Sequence, residues 1–453
     1  MKRMKQVCLL MVFLACLFLP ATALAADAEA MEIGVQLNGS NLQFTDAVPV
    51  MEDGRVYVPF RAVFEALDAD VNYDKATSTI EAQKGETTVK FVIGNPDVVV
   101  DGDMVFTTDA PSFVRDGRTY VPVRFAAQSL GATVGWDGNT KTVVMLDKAA
   151  LKEELKGQYT LMDKYMAYSQ SFNKEPMVVK GTMNFDMKVA DGSGEEAVMI
   201  PVSGKMTLDG ITTLDAASMN MAIALDLSKL QAMLEEAGEM TEEDKAMMEQ
   251  MKNMSMDVIA NMETGKMYMK SELFAMADMD GDAWYMMDLN EIMAGTGMDF
   301  NALMESSLNG TYEDSIMAML DNMPVNDAIS TAIMMQSVVQ YQDKNFQKSG
   351  NDYVATLKQD GMTSRMTLKM TGEKVTGYAQ EMSMYLGTTP LMTVKADQTG
   401  NKATMNMSMN MDGVMSMTMN GDMTYTATTE KPQTTPAAGE KVVDITEMAN
   451  EAA

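Results

Sequence analysis

Residues 405–420 read MNMSMNMDGVMSMTMN, with methionine at nearly every second position. Met405, Met407, Met409 and Met411 share one parity, Asp412-Gly413 reads as a turn, and Met415, Met417 and Met419 repeat the pattern. Asn420-Gly421 reads as a second turn before Met423 and Tyr425. Successive side chains of a β-strand point to opposite faces. The spacing therefore predicts paired strands with all seven thioethers on one side, and Asn406, Ser408, Asn410, Ser416 and Thr418 on the other.

Two chemistries suit such a row. Thioethers are soft ligands that fit Cu(I), and a chain with 53 methionines has many to offer. Histidine or cysteine usually shares such sites, however. This chain has no histidine, and its two cysteines are Cys8 and Cys16. From Met162 to Tyr425 there are 45 methionines against 15 leucines, on helical as well as strand patterns. Methionine here takes the place of leucine as general apolar filler. Burying one contributes roughly 1.5–3 kcal/mol, and its flexible side chain adapts to irregular cores and varied ligands. Met405, Met407, Met409, Met411, Met415, Met417 and Met419 are thus read as the apolar face of a sheet and the candidate contact surface for a lipid or other apolar molecule. Cu(I) buffering is the alternative, and an oxidant sink is a third reading.

The chain opens MKRMK, continues with the apolar run Val7 to Leu19, and then reads PATALA. This predicts a secretory signal peptide over residues 1–25, cleaved after Ala25. Cys16 follows Leu14-Ala15 as a lipidated cysteine would, but Phe13 is a poor lipobox start and apolar residues run on past the cysteine. The run is too short to span a bilayer, and no stretch of about 20 apolar residues follows, so no integral membrane segment is expected in the mature chain. Against 35 Lys and Arg stand 64 Asp and Glu, a net charge of −29. Such a chain repels nucleic acid and anionic membranes, which excludes a nucleic-acid partner and suits a secreted, extracytoplasmic protein.

An internal repeat organises the first part. GRVYVPFR at 54–61 recurs as GRTYVPVR at 117–124, an offset that also carries Leu67 to Leu130, Tyr73 to Trp136 and Asp74 to Asp137. Asp53-Gly54 and Asp116-Gly117 supply tight turns, where glycine accepts positive φ. Tyr57 and Tyr120 lie in short strands, and Pro59 and Pro122 suit the first turn of a helix. Arg61 and Arg124, one turn into those helices, are expected to pair with Asp74 and Asp137. Each copy, 35–93 and 98–146, is predicted to be strands, one helix and more strands, a small α+β domain over 33–146. The residues Gly54, Arg55, Tyr57, Pro59, Arg61 and Asp74, with Gly117, Arg118, Tyr120, Pro122, Arg124, Trp136 and Asp137, form its structural repeat motif.

The pattern Gly-Arg-x-Tyr-Val-Pro-x-Arg, then Leu-Gly-Ala-x-Val-x-Trp-Asp, resembles the copper amine oxidase-like N-terminal domain. The second copy keeps all of it; the first has Asp68 for the glycine and Tyr73 for the tryptophan. The resemblance implies a stalk-type module of secreted and wall-associated bacterial proteins. Amine oxidation belongs to a different domain, which needs three histidine copper ligands and a tyrosine-derived quinone; a chain without histidine cannot build that centre.

Beyond residue 160 alternating strands are predicted around Met177 to Val189, Val198 to Leu208 and Met219 to Leu225, with turns such as Asp-Gly-Ser-Gly between them. A helix follows through Leu227, Leu230, Met233 and Leu234, then one capped by Thr241 and Asp244. Strands come at Met256 to Met262 and Lys266 to Lys270, helical patterns over about 290–346, and a strand meander from Tyr353 to Thr426. Antiparallel strands with helices inserted between two strand blocks predict a large curved half-barrel over 160–426. With Gly281 to Leu289, GDAWYMMDL, this resembles the half-barrels of lipoprotein carriers and related bacterial envelope lipoproteins. TATTEKPQTTPAAGEK lacks periodicity, so 427–453 reads as a disordered tail.

Asp278, Asp280 and Asp282 invite a calcium-loop reading, but Ala283 and Leu289 stand where glycine and glutamate belong. No nucleophile motif, phosphate loop or zinc spacing appears, and no metal or cofactor is expected. The sequence thus reads as a non-enzymatic α+β envelope protein: a stalk-like module followed by a binding domain for an apolar ligand. A purely structural or adhesive protein whose repeats contact cell-wall polymer is a further alternative.

Overall fold

A computed structural model describes residues 33–446, apart from 109, 139, 173, 191–198, 237, 239, 278, 296–298, 323–338, 360 and 412–413. The expected signal peptide, the Asp-Gly-Ser-Gly and Asp412-Gly413 turns, Asp278 and the last seven residues of the tail lie outside the described residues. The chain divides into two compact units, one built chiefly on residues 33–156 and the other on 157–318 and 340–446.

In the first unit the two copies fold alike. The first runs β1 (Gly34–Leu37), β2 (Ser40–Asn41), β3 (Val50–Glu52), β4 (Arg55–Pro59), α1 (Phe60–Ala66), β5 (Asp70–Asp74) and β6 (Thr79–Lys84). After β7 (Thr87–Val92), the second runs β8 (Asp97–Val100), β9 (Asp103–Thr107), β10 (Phe113–Arg115), β11 (Arg118–Pro122), α2 (Val123–Gln128), β12 (Thr133–Asp137) and β13 (Thr142–Leu146). Asp53-Gly54 (φ 48° and 75°) and Asp116-Gly117 (φ 53° and 72°) turn the β3–β4 and β10–β11 hairpins. Two successive positive φ values match the right-handed twist of the flanking strands.

β4 pairs antiparallel with β11, and Val58 sits opposite Val121, its own equivalent in the other copy. A pseudo-two-fold axis therefore passes between these two residues. The first strands of each copy complete the other copy's sheet: β1 lies parallel to β13, and β8 reaches β6 through β7. Val58, Val63, Phe64, Ile80, Val121, Phe125 and Val143 form a continuous buried core. Phe91 and Phe125 meet edge-on at 5.0 Å within it.

The helix α3 (Lys148–Leu155) follows, and α4 (Thr160–Phe172) opens the second unit. Its sheet has fourteen strands: β14 (Met177–Ala190), β15 (Met199–Thr212), β16 (Ala216–Asp226), β17 (Asn253–Asn261), β18 (Lys266–Lys270), β19 (Trp284–Asp288), β20 (Phe346–Ser349), β21 (Asp352–Gln359), β22 (Met362–Thr371), β23 (Lys374–Leu386), β24 (Thr389–Thr399), β25 (Lys402–Met411), β26 (Met415–Ala427) and β27 (Val442–Asp444). Two meanders, β14–β19 and β20–β26, join where β26 pairs along the length of β14. The result is a curved antiparallel half-barrel. Between β16 and β17 come α5 (Ser228–Glu236) and α6 (Glu242–Met251); between β19 and β20 come α7 (Leu289–Gly295), α8 (Phe300–Asn309) and α9 (Tyr312–Asn322). Thr241 and Asp244 make the predicted capping box at α6.

Three details differ from expectation. Asn420-Gly421 is no turn but the interior of β26, where Gly421 faces Met405 on one side and Met183 on the other. A Cβ there would collide with Met183 and lie 2.7 Å from the Thr182 carbonyl, so the glycine lets the strands approach closely. The second strand block begins before the expected Tyr353, with β20 at Phe346–Ser349 and Phe346 opposite Ala355. The tail is not structureless throughout: β27 adds a parallel strand to the edge of β19, and the Ile445 N–H donates to the Met286 carbonyl.

Candidate functional site

In the repeat unit, Tyr57 and Tyr120 are buried, Pro59 and Pro122 stand at the N-caps of α1 and α2, and Gly54 and Gly117 occupy the hairpin turns. The expected Arg61–Asp74 pairing gives way to shorter-range contacts. Arg61 reaches Glu65 at 3.4 Å, one helical turn on, while Asp74 accepts from the Ala76 N–H and the Thr77 hydroxyl, which together hold its carboxyl below the ordinary range. Asp137 accepts from the Thr140 hydroxyl at 2.6 Å in the same fashion, in place of the ion pair expected with Arg124. The pseudo-two-fold axis explains the pairs that do form. It brings equivalent positions of the two copies together, so Glu52 meets Arg115 at 2.5 Å and Lys84 meets Asp147. Arg118 donates to Asp46 at 2.6 Å, and Arg55 to the Asp53 carbonyl. Trp136 and its equivalent Tyr73 are surface residues, each 41% exposed.

Residues 36–145 match the family model of the copper amine oxidase N-terminal domain. The motif and both Asp-Gly hairpins fall inside that match, which runs from within β1 to within β13. No curated protein matches the chain. Among solved structures, one described as an outer membrane lipoprotein-sorting protein domain from Vibrio parahaemolyticus is 9% identical; the alignment covers 58% of this chain and 91% of that one, with a TM-score of 0.19.

The half-barrel carries the methionine face. Met405, Met407, Met409 and Met415 are half-buried and Met417 and Met419 are buried, while the alternate residues Asn406, Ser408, Asn410 and Thr418 are exposed. Met411, at the end of β25, is 43% exposed and falls outside that packing. The buried methionines pack with Met183, Phe185 and Met187 of β14, Met206 of β15, and Leu230, Met248 and Met251 of α5 and α6. Both helices thus cover the concave face.

Register turns this face into rows. Met392 of β24 lies opposite Met409 of β25, Met409 opposite Met417 of β26, and Met417 opposite Met187 of β14. An open cavity of about 520 Å³ includes that row in its lining, together with Val202 and Leu391, Lys229 at the start of α5, and polar residues of the alternate positions such as Asp186, Lys188, Ser408, Asn410 and Thr418. Met417 and Met187 are 1% and 3% exposed and form its floor; Met392 and Met409 are its half-buried walls. The sequence pattern placed Met409 and Met417 here. It missed Met187, which joins them only through the pairing of β14 with β26, segments some 230 residues apart, and Met392, which joins them from the neighbouring hairpin strand β24.

Elsewhere on the sheet α4 lays aromatic side chains against β23 and β26. Tyr165 meets Tyr378 edge-on at 5.2 Å, and Phe172 meets Tyr425 at 5.1 Å. Burial pushes the hydroxyls of Tyr165, Tyr168, Tyr378 and Tyr425 above the usual phenol range, so they stay neutral donors. In the Asp-rich stretch Asp280 accepts from the Asp282 N–H and from Lys441 at 2.7 Å, which ties the stretch to the strand that follows residue 441. Among the described residues no group of three His, Cys, Asp or Glu side chains is placed to hold a metal ion, and no helix is long and apolar enough to cross a membrane.

Proposed function

We propose that the half-barrel binds a lipid or other apolar molecule in the methionine-walled cavity, and that the chain is a non-enzymatic, secreted envelope protein whose matched module serves as a stalk. The observation that carries this reading is the 520 Å³ cavity set on the Met392–Met409–Met417–Met187 row. A cavity of this size lies in the range of small-ligand sites, which are largely apolar with few polar groups. Lys188 and Lys229 are the cationic residues of its lining, with Asp186 as their acidic neighbour. Extracytoplasmic placement is supported by the leader-like first 25 residues and by the matched module.

Mass spectrometry of the gently purified full chain tests the reading. The expected result is a co-purifying apolar molecule that organic extraction removes and that a neutral hydrophobic dye can replace. Met409→Asp should weaken dye binding at least about tenfold, because a carboxylate on the wall must be desolvated when the cavity fills. Unchanged dye affinity in that variant would remove the cavity from the reading.

The same in-register thioethers favour one second reading, Cu(I) buffering. Titration against a Cu(I) chelator separates the two. Competition at micromolar copper, lost on replacing Met392, Met409 and Met417 by leucine, is what the metal reading requires.

A further inference from the structure

The cavity's walls and floor present the same chemical group at two depths. Met392 and Met409 are half-buried in its lining, whereas Met417 and Met187, next to them in the row, are 1% and 3% exposed. A thioether is oxidised by a peroxide without an acid, base or metal. The sulfur lone pair attacks one peroxide oxygen, the O–O bond breaks, and the sulfur gives up two electrons and gains an S–O bond. The second oxygen leaves as water with both protons. Susceptibility follows access of the oxidant to sulfur. Neither histidine nor a further cysteine competes, since the chain has none beyond Cys8 and Cys16.

We infer that Met392 and Met409 are sites of reversible sulfoxidation, and that their oxidation closes the cavity to apolar ligands. The inference rests on the reading of that cavity as an apolar binding site. Sulfoxidation replaces an apolar wall by a strongly polar S–O group, which an apolar occupant would strip of water and leave without a hydrogen-bond partner. Oxidation of the walls precedes that of the floor, because Met417 and Met187, beside them in the row, are 1% and 3% exposed and Met206, Met248 and Met251 are packed in the core. The fold therefore survives a dose that alters the cavity. Methionine sulfoxide is reducible by the two sulfoxide reductases, one for each epimer, so the change can be reversed.

The test uses the full chain, graded hydrogen peroxide, peptide mapping by mass spectrometry, and binding of a neutral hydrophobic dye at each dose. Met392 and Met409 should be converted well before Met187 and Met417. Dye affinity should fall about tenfold in step with them and return after treatment with both reductases. The Met392→Leu/Met409→Leu double variant, whatever its starting affinity, should show no fall in dye affinity over the same doses. Met411→Leu should not, since Met411 is accessible but lies outside the cavity. Equal oxidation rates for walls and floor, or undiminished dye binding by chain sulfoxidised at both walls, would overturn the inference. Failure of the unoxidised chain to bind dye would instead overturn the apolar-site reading and the closure with it, while the order of oxidation is still read independently by mass.

Discussion

Gly421 shows how one missing atom shapes a sheet. It lies between Met183 and Met405 on the concave face, and any Cβ there meets the Met183 side chain and approaches the Thr182 carbonyl to 2.7 Å. Gly181 and Gly204 repeat the device: a Cβ would sit 2.8 Å from Met423 Cγ in one case and 2.6 Å from Phe185 Cζ in the other. Glycine on the inner face next to a large neighbour lets a long sheet bend. Gly421→Ala should therefore destabilise the half-barrel by about 1–3 kcal/mol, the usual cost of overpacking, read as a lower urea midpoint at unchanged slope. A neutral result would mean that the Met183 side chain can swing aside and that the backbone approach is immaterial. Thr241→Ala should cost about 1 kcal/mol through loss of the α6 cap, with faster amide exchange confined to the first turn of that helix; the sequence announced this contact, since both capping partners lie three residues apart.

Contacts within an element or its next turn were legible, and contacts set by the assembly of elements were not. The Asp-Gly hairpins, the one-sided methionine strands and the Thr241 cap follow from spacing alone. Arg61 and Asp74 do not pair because each finds a nearer partner, Glu65 for one and the Ala76 N–H and Thr77 hydroxyl for the other; the Glu52–Arg115 and Lys84–Asp147 pairs escape a reading of each repeat as closed on itself, because the pseudo-two-fold axis makes them. β27 was hidden for another reason: three residues, Val442–Asp444, carry no periodicity, and their pairing with β19 depends on side chains on either flank. Lys441 bonds Asp280 at 2.7 Å, Lys270 bonds Glu440 at 3.2 Å, and Thr446 Oγ1 accepts from the Asp288 N–H. The Asp280 carboxyl is held below its ordinary value of 3.8 by Lys441, and that of Asp444 by the Thr446 hydroxyl. A carboxyl whose folded pKa is depressed lends its stabilisation above the unfolded pKa and loses it as pH falls through the folded one. The β27 contact should thus be complete at neutral pH and loosen below about pH 4. Amide exchange at Ile445, corrected for intrinsic rate, should rise over that interval, and Asp280→Asn should raise it at pH 7. Exchange indifferent to both changes would show that backbone pairing alone holds the strand. Ending the chain after residue 439 exposes the β19 edge, and the expected outcome is concentration-dependent self-association by light scattering.

At the scale of the molecule the two units solve the same packing problem with different side chains. The repeat unit is filled by Val, Ile, Phe and Ala, stiff side chains with few rotamers; only three methionines, Met51, Met104 and Met145, occur between residues 33 and 156. The half-barrel spends 45 methionines where leucine would serve, and a core cluster among its described residues joins eight buried thioethers to Phe185 and five aliphatic side chains. Flexible filler specifies a core less sharply than branched filler, but it adapts to an occupant of varied shape. Each unit has its own continuous core, so calorimetry of the full chain should resolve two transitions. Methionine content then tells them apart. Exhaustive peroxide treatment beyond the dose that converts Met392 and Met409 introduces sulfoxide into the thioether core and should lower one transition by several degrees, as a loss of a few kcal/mol does in a domain of this size. The other transition should stay within a degree, since Met145 is fully buried among aliphatic neighbours and Met51 is a surface residue. An apolar ligand bound to the half-barrel should raise the oxidation-sensitive transition alone, by the mass action of binding to the folded state. If ligand raises the resistant transition, or if oxidation lowers both equally, the binding core and the methionine core are not the same structure, and the account of the half-barrel as a thioether-lined receptacle fails at its centre.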